Sequence, residues 1–172
     1  MSRQEESRLY ELVRGAIEQL FKVQGYSVDF EITGHPKGKL IPEKFLKSAT
    51  LSKYRRARLP TPDIMGLVWK KTRQDNQELV IVEVKNRPTY RAIFQAKGYA
   101  ELFYSDFTFL ISQQSLYTSS PKVLDFVKEK PELLSTRNEN EIIIQFLHKT
   151  PEGIITLAQL GSEAGILPTA IL

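Results

Sequence analysis

The sequence predicts an α/β fold in which a central mixed β-sheet of about four to six strands is flanked by helices. An amphipathic helical segment precedes a segment of alternating apolar and polar residues, the pattern of a strand with one buried face. Two apolar segments of strand length then flank the turn pair Asp75-Asn76, which predicts an antiparallel hairpin. A strand–helix–strand order follows, and a connection of this length implies a right-handed crossover and parallel pairing.

Residues 5–24 are predicted to form the first helix because their apolar residues recur at the spacing of one helical face. That face comprises Leu9, Leu12, Val13, Ala16, Ile17, Leu20 and Phe21. Gly25 suits a helix stop. Residues 26–33 are predicted to form a strand because apolar residues occupy every second position.

The segment 34–62 is strongly basic, with eight lysine or arginine residues against one acid in a chain whose net charge is +4. Within it, residues 41–47 are predicted to form a short helix. A basic loop that also contains an aromatic residue suits the phosphate backbone of a nucleic acid. The alternative is a solvated loop without a partner. The candidate nucleic-acid contacts are Lys53, Arg55, Arg56 and Arg58.

The hairpin holds the residues with the clearest chemistry. Residues 79–84 are almost continuously apolar, which indicates a strand buried on both faces. Asp63 stands at the start of the first strand, and Glu83 and Lys85 stand at the end of the second. Antiparallel pairing brings those ends side by side, and residues two apart in a strand share a face. We therefore expect the three side chains to converge.

Converging carboxylates repel each other unless a cation lies between them. Carboxylate oxygens and a backbone carbonyl, here that of Val84, suit a hard, mostly hydrated ion such as Mg2+, and we expect Mn2+ to substitute for it. Lys85 beside such an ion could orient a water or hold a phosphate. The expected chemistry is metal-assisted phosphodiester hydrolysis. The alternative is a surface hairpin that ends in an ordinary glutamate and lysine.

These residues resemble a known family. Pro62-Asp63, nineteen intervening residues and Glu83-Val84-Lys85 resemble the PD-(D/E)xK signature of restriction-endonuclease-like nucleases. The resemblance covers roughly residues 5–113 and implies an αβββαβ core. It also implies one nuclease-like domain over residues 1–172, with the basic loop at 34–62 inserted and a C-terminal helix and hairpin extension at 114–172. Many nucleases of this group place a glutamate of the first helix near the metal, and Glu6 is the matching position. The alternative for Glu6 is a carboxylate that stabilises the helix dipole.

A second helix is predicted from residue 89 to residue 104, with Thr89 as its N-cap. Gln95 and Tyr99 lie one turn apart on it. They resemble the QxxxY motif of RecB-type and Holliday-junction-resolvase-like members of the family, which implies that both approach the active site. The alternative is ordinary helix–sheet packing. Candidate phosphate contacts near this helix are Arg87, Arg91 and Lys97.

Beyond this helix, residues 106–112 are predicted to form a strand that pairs in parallel with the hairpin. Ser120-Pro121 begins a helix that is expected to run to about residue 134. The apolar segments 141–147 and 154–160 flank a turn-like sequence and are expected to form a terminal hairpin. The tail that follows carries no recognisable chemistry.

The expected function is therefore a Mg2+-dependent deoxyribonuclease of DNA repair or recombination, with endonuclease or exonuclease action left open. One alternative is a catalytically inactive nucleic-acid-binding module of the same fold, and another is a structural subunit that binds an acidic protein. Junction resolution would require a symmetric homodimer, so a homodimer is one option. The substrate partner is DNA, and we expect no nucleotide cofactor.

Composition excludes other classes of site. The chain has no cysteine, which excludes disulfides, thiolate metal sites and cysteine catalysis and fits a cytoplasmic location. Its two histidines, His35 and His148, are far apart in sequence, so a histidine-based zinc site is not expected. No apolar run is long enough to cross a membrane.

Overall fold

The fold is described by a computed structural model. The described residues are 3–34, 41–47, 60–72, 76–87, 89–113, 121–136, 140–149, 155–160 and 166–168. The helices are α1 (Arg3–Val23), α2 (Tyr90–Phe103) and α3 (Pro121–Glu129), with single 3-10 turns at Glu43–Phe45 and Pro131–Leu134. The strands are β1 (Tyr26–Ile32), β2 (Ile64–Lys70), β3 (Glu78–Lys85), β4 (Phe107–Ser112), β5 (Ile142–Lys149), β6 (Ile155–Leu160) and β7 (Ile166–Pro168).

The seven strands formed by the described residues belong to one mixed sheet, and their spatial order is their chain order. The pairs β1–β2 and β2–β3 are antiparallel, β3–β4 and β4–β5 are parallel, and β5–β6 and β6–β7 are antiparallel. The predicted α/β class is thus confirmed, as are the hairpin, the parallel crossover and the terminal hairpin. The sheet has one strand more than the expected range, because Ile166–Pro168 of the C-terminal tail pairs with β6.

Both faces of the sheet are covered, and β3 shows how. Val80, Val82 and Val84 pack with α1 in one core cluster. Leu79 and Ile81 point to the opposite face, where they pack with α2 and with the segment around the 3-10 turn Glu43–Phe45. A strand buried on both faces needs apolar residues at nearly every position, which explains why residues 79–84 are almost continuously apolar. By the same alternation, Glu83 faces the α2 side of the sheet.

Three details of the elements differ from the sequence prediction. Leu12 was expected on the apolar face of α1 but is exposed. Only one 3-10 turn, Glu43–Phe45, forms where a short helix was expected. Helix α3 ends at Glu129 rather than near residue 134, because Pro131 cannot donate to the preceding turn and disfavours helical geometry in the residue before it.

Among the described residues, no helix combines the length and the apolar character needed to cross a lipid bilayer.

Candidate functional site

Asp63 and Glu83 meet where β2 begins and β3 ends. Ile64 pairs with Val82 in the antiparallel register, so one further step places Asp63 opposite Glu83. The backbone N–H of Val84 donates to Oδ2 of Asp63 at 2.7 Å, which holds this carboxylate against the end of β3. The two residues are almost inaccessible, with 8% of Asp63 and 0% of Glu83 exposed. The structure therefore places two buried carboxyl groups side by side.

Lys85 completes the cluster. Its ammonium donates a hydrogen bond to Oε1 of Glu83 and lies 3.9 Å from Oδ2 of Asp63. Burial acts to lower the pKa of Lys85, but the charge of Glu83 and the hydrogen bond to it outweigh burial, so the pKa lies above its ordinary value. Lys85 is therefore a protonated donor at neutral pH rather than a base.

Glu83 has an unusual environment for a carboxylate. Burial, followed by the charge of Asp63, raises the pKa of Glu83 to about 7 against the opposing effect of Lys85. Its second oxygen, Oε2, is buried and has no hydrogen-bond partner. An unpaired buried carboxylate oxygen is costly, and native structures normally satisfy such atoms with a donor, a water or an ion. Glu83 thus places a buried oxygen without a hydrogen-bond donor beside Asp63.

The other oxygen of Asp63 is held from the first helix. The hydroxyl of Tyr10 donates to Oδ1 of Asp63 at 3.0 Å. The backbone N–H groups of Thr33 and Gly34 both donate to the Asp63 carbonyl, at 2.9 and 3.0 Å. A Cβ added to Gly34 would lie 2.6 Å from Oδ1 of Asp63 and 2.7 Å from its Cα, so only glycine fits there. Asp63 is therefore clamped at its side chain and its backbone.

Tyr10 and the pair Thr33–Gly34 are site residues that the sequence analysis missed. A helix turns about 100° per residue, which places Tyr10 between the directions of Ile17 and Phe21 on the apolar face. A polar hydroxyl inside an apolar stripe could have singled it out. Thr33 and Gly34 bind the Asp63 carbonyl through their backbone N–H groups, and no sequence pattern encodes such contacts.

The register of the sheet indicates that the Val84 carbonyl points toward β2 rather than β4. The N–H of Gln113 donates to the Lys85 carbonyl at 3.1 Å, so the backbone groups of Lys85 point toward β4. Those of Val84 then point toward β2, as its N–H does. Extending the β2–β3 register places Pro62 opposite Val84, and proline has no N–H to donate. The Val84 carbonyl thus receives no ladder hydrogen bond from β2.

Helix α2 brings Tyr99 to the cluster. The Thr89 side chain caps the helix by accepting from the N–H of Ala92 at 3.2 Å, as predicted. Nε2 of Gln95 donates to the Tyr99 hydroxyl at 3.0 Å. Burial raises the pKa of Tyr99, the Gln95 bond lowers it, and the charges of Glu83 and Asp63 raise it further. Tyr99 therefore lies within electrostatic range of both carboxylates, with Gln95 beside it.

Each remaining candidate either makes no hydrogen bond or ion pair with this cluster among the described residues or lies outside the described part of the chain. Arg87 and Arg91 are exposed, two and six residues beyond Lys85. Lys97 follows Gln95 by two residues, which corresponds to a rotation of about 200° around the helix axis. Lys97 and Gln95 therefore lie on opposite sides of α2. Glu6 belongs to α1, one turn before Tyr10, and its side chain lies outside the described residues. The basic residues Lys53, Arg55, Arg56 and Arg58 lie outside them altogether.

The donor set can be tested against a metal ion. Within the described residues, no group of three or more histidine, cysteine or acidic side chains is arranged to hold a metal. The cluster offers two carboxylates and the Val84 carbonyl, which leaves most positions of an octahedral ion to water. Mg2+ is bound in proteins in this way, by one or two carboxylates with several waters retained. The unpartnered Oε2 of Glu83 supplies the observation that such an ion would explain.

Comparisons of this chain with protein-family models, with curated proteins and with solved structures find no match.

Proposed function

We propose that this protein is a metal-dependent nuclease that hydrolyses phosphodiester bonds of DNA. The supporting observation is the meeting of Asp63, Glu83 and Lys85 at one end of the sheet, with a buried oxygen of Glu83 left without a partner. A structural ion pair would be expected to satisfy that oxygen. A site that binds a cation from solvent would instead leave it available.

Each residue has a definite task in this proposal. Asp63, Glu83 and the Val84 carbonyl would hold Mg2+, for which Mn2+ would substitute. The bound ion would lower the pKa of a water and neutralise charge on the phosphate. Lys85 is protonated, so it donates hydrogen bonds to a phosphate oxygen or to the attacking water rather than taking a proton. The buried end of β3 keeps these groups in fixed positions, which reduces reorganisation during the reaction.

The surroundings of Asp63 support DNA as the substrate. Both ends of the basic segment 34–62 lie next to Asp63. At the first end the N–H of Gly34 donates to the Asp63 carbonyl, and Thr33 Oγ1 donates to the carbonyl of Pro62, the last residue of the segment, at 2.6 Å. Its eight lysine and arginine residues against one acid give it the charge that a polyanion requires. Gln95 and Tyr99 border the same cluster from α2. They would contact the strand that is cleaved.

The test replaces each carboxylate by its amide. We expect Asp63→Asn and Glu83→Gln to lower Mg2+- or Mn2+-dependent cleavage by at least about 100-fold, because each removes a charged ligand. The substrate panel holds single-stranded, duplex, flap and four-way-junction DNA together with RNA, assayed with each ion and with EDTA. Glu11→Gln, on the exposed side of α1, is the control. Circular dichroism and DNA binding should not change, and full cleavage by either site variant would refute the proposal.

A second candidate is a nucleic-acid-binding module of the same fold without catalysis. It is favoured by the Lys85–Glu83 hydrogen bond and by the raised pKa of Glu83, because an ammonium and a proton together can neutralise the carboxylates without any metal. Calorimetric titration with Mg2+ and Mn2+ separates the two candidates. A module would show DNA binding with no ion bound at Asp63 and Glu83.

A further inference from the structure

Helix α2, which carries Gln95 and Tyr99, also presents a large aromatic side chain to solvent. Phe94 is 53% exposed and belongs to none of the three core clusters found among the described residues. It directly precedes Gln95, whose side chain bonds to Tyr99. An apolar ring in this position is not explained by folding, since the inward face of α2 is already supplied by Ala92, Ile93, Ala96, Tyr99, Ala100 and Phe103.

Phe94 has two cationic neighbours on the surface of α2. Arg91 and Lys97 are three residues away on either side, and positions three apart are neighbours on a helix surface. Arg87 is exposed in the connection that leads from β3 into the helix. In the described part of the chain, no ion pair joins any of these three cations to an acid. Helix α2 carries a single acid, Glu101, two turns beyond Phe94. The surface is therefore aromatic and positively charged.

Tyr90, the aromatic residue one turn before Phe94, connects α2 to α3. The Tyr90 hydroxyl donates to the Lys122 carbonyl at 3.0 Å, and its ring packs edge-on against Phe126 at 4.8 Å between centroids. These contacts fasten the first turn of α2 to α3. Phe94, one turn later, has no ring contact of this kind among the described residues. Within α2, Phe94 is thus an exposed ring without a ring contact among the described residues, whereas Tyr90 is held by α3.

The location relates this surface to the carboxylate cluster. Only four residues separate the end of β3 at Lys85 from the start of α2 at Tyr90, so the first turns of the helix lie at the same end of the sheet as the cluster. Arg91, Gln95 and Tyr99 follow one another at one-turn intervals. They form a row from the outer surface of α2 toward the buried carboxylates.

We propose that Phe94, with Arg87 and Arg91, is a stacking platform for a base of single-stranded nucleic acid, whose backbone then passes Gln95 and Tyr99 to reach Lys85. The inference rests on the proposed nuclease function and specifies its substrate as an unpaired strand. An exposed ring stacks on the face of a base, and flanking arginines neutralise the adjacent phosphates. Bases inside a duplex already stack on their neighbours, so a duplex does not offer a free face to Phe94.

The test measures binding without cleavage, using fluorescence anisotropy of a labelled oligothymidylate in EDTA. We expect Phe94→Ala to weaken binding of the single strand by at least about fivefold, because stacking of one base on an aromatic ring is of this order or stronger. Phe94→Trp should bind at least as tightly as the parent. Phe94→Leu should behave like Phe94→Ala, since it keeps apolar volume but has no ring. The matched control is Tyr104→Ala, which removes a ring that is 56% exposed at the far end of the same helix.

Several results would show that Phe94 is not a stacking platform for single-stranded nucleic acid. Unchanged binding by Phe94→Ala, tight binding by Phe94→Leu, or equal losses for single strand and duplex would each overturn the platform. So would a mass measurement showing a parent dimer that Phe94→Ala dissociates, because the ring would then belong to a contact between two copies. A parent protein that binds no single strand also overturns it. Binding in EDTA does not depend on catalysis, so a failed cleavage assay with intact binding refutes the nuclease proposal but retains the platform.

Discussion

The hydroxyl of Tyr10 donates a hydrogen bond to Oδ1 of Asp63 at 3.0 Å, linking the first helix to the start of β2. The other oxygen of Asp63 accepts from the N–H of Val84. The carboxylate is therefore oriented by two donors from two different elements. Groups that orient a ligand in this way control metal affinity although they do not touch the metal.

Tyr10→Phe removes the hydroxyl that donates to Asp63 and keeps the buried ring. We expect Mg2+ affinity, measured by calorimetry, to fall by about 10-fold, and the free energy of unfolding to fall by about 1 to 2 kcal/mol. Tyr26→Phe is the control, because Tyr26 is a buried tyrosine of the same core cluster at the opposite end of β1. Equal metal affinity in Tyr10→Phe and the parent protein would show that this bond does not orient Asp63.

Gly34→Ala tests the close approach of the chain to Asp63. The new Cβ would lie 2.7 Å from the Cα of Asp63, a backbone atom that cannot move aside cheaply. We expect the free energy of unfolding to fall by about 1 to 3 kcal/mol and metal binding to weaken. Gly15→Ala is the control, because its Cβ would enter open space in α1 and should raise stability by roughly 0.5 to 1 kcal/mol. Urea unfolding measures both, and an unaffected Gly34→Ala variant would contradict the clash.

Glu83→Gln should change how stability depends on pH in the metal-free protein. The pKa of Glu83 is about 7 in the folded protein and near 4.5 in the unfolded chain, so folding binds a proton between these values. The contribution of Glu83 to the free energy of unfolding is then fully present below about pH 4.5 and is lost as the pH rises toward 7. The loss is on the order of 3 kcal/mol. Urea unfolding in EDTA should show this fall in the parent and in Glu11→Gln but not in Glu83→Gln. Parallel pH profiles for the parent and Glu83→Gln would contradict the raised pKa.

Lys85→Met removes the cation from the cluster. The two carboxyl groups then face each other without compensation, so we expect the metal-free protein to lose roughly 1 to 3 kcal/mol of stability at neutral pH. Mg2+ should restore more thermal stability to Lys85→Met than to the parent, because the ion replaces the missing charge. Lys85→Arg keeps the charge but not the compact ammonium, so it should remain stable and lose cleavage. An Mg2+-induced shift no larger in Lys85→Met than in the parent would argue against ion binding at this place.

The carboxylate cluster was predictable because two local features of the sequence determine it. The run at residues 79–84 identifies a buried strand, and the turn before it sets the antiparallel partner. From these two facts Asp63 falls opposite Glu83, and Lys85 falls on the same face as Glu83. Local patterning therefore suffices where the site is built from one hairpin.

The support of the cluster was not predictable, because it depends on how elements dock. The apolar stripe of α1 is broad, and which flank of it contacts the sheet is decided by packing: Tyr10 is buried, whereas Leu12 is exposed. Similarly, Gly34 is required by the approach of a neighbouring chain segment rather than by its own conformation. Helix α3 is shorter than its apolar pattern predicts for a local reason, because Pro131 ends the helix while the apolar pattern continues to Leu134.

The agreement between strand order and chain order has a consequence for biosynthesis. Each strand pairs with the strand made immediately before it, so no pairing must wait for a strand further along the chain. The contacts from Tyr10 to Tyr99 lie within elements that end at Phe103. On a ribosome, where the N-terminal part of a chain emerges first, the carboxylates and their clamp could assemble before β5 to β7 have been synthesised.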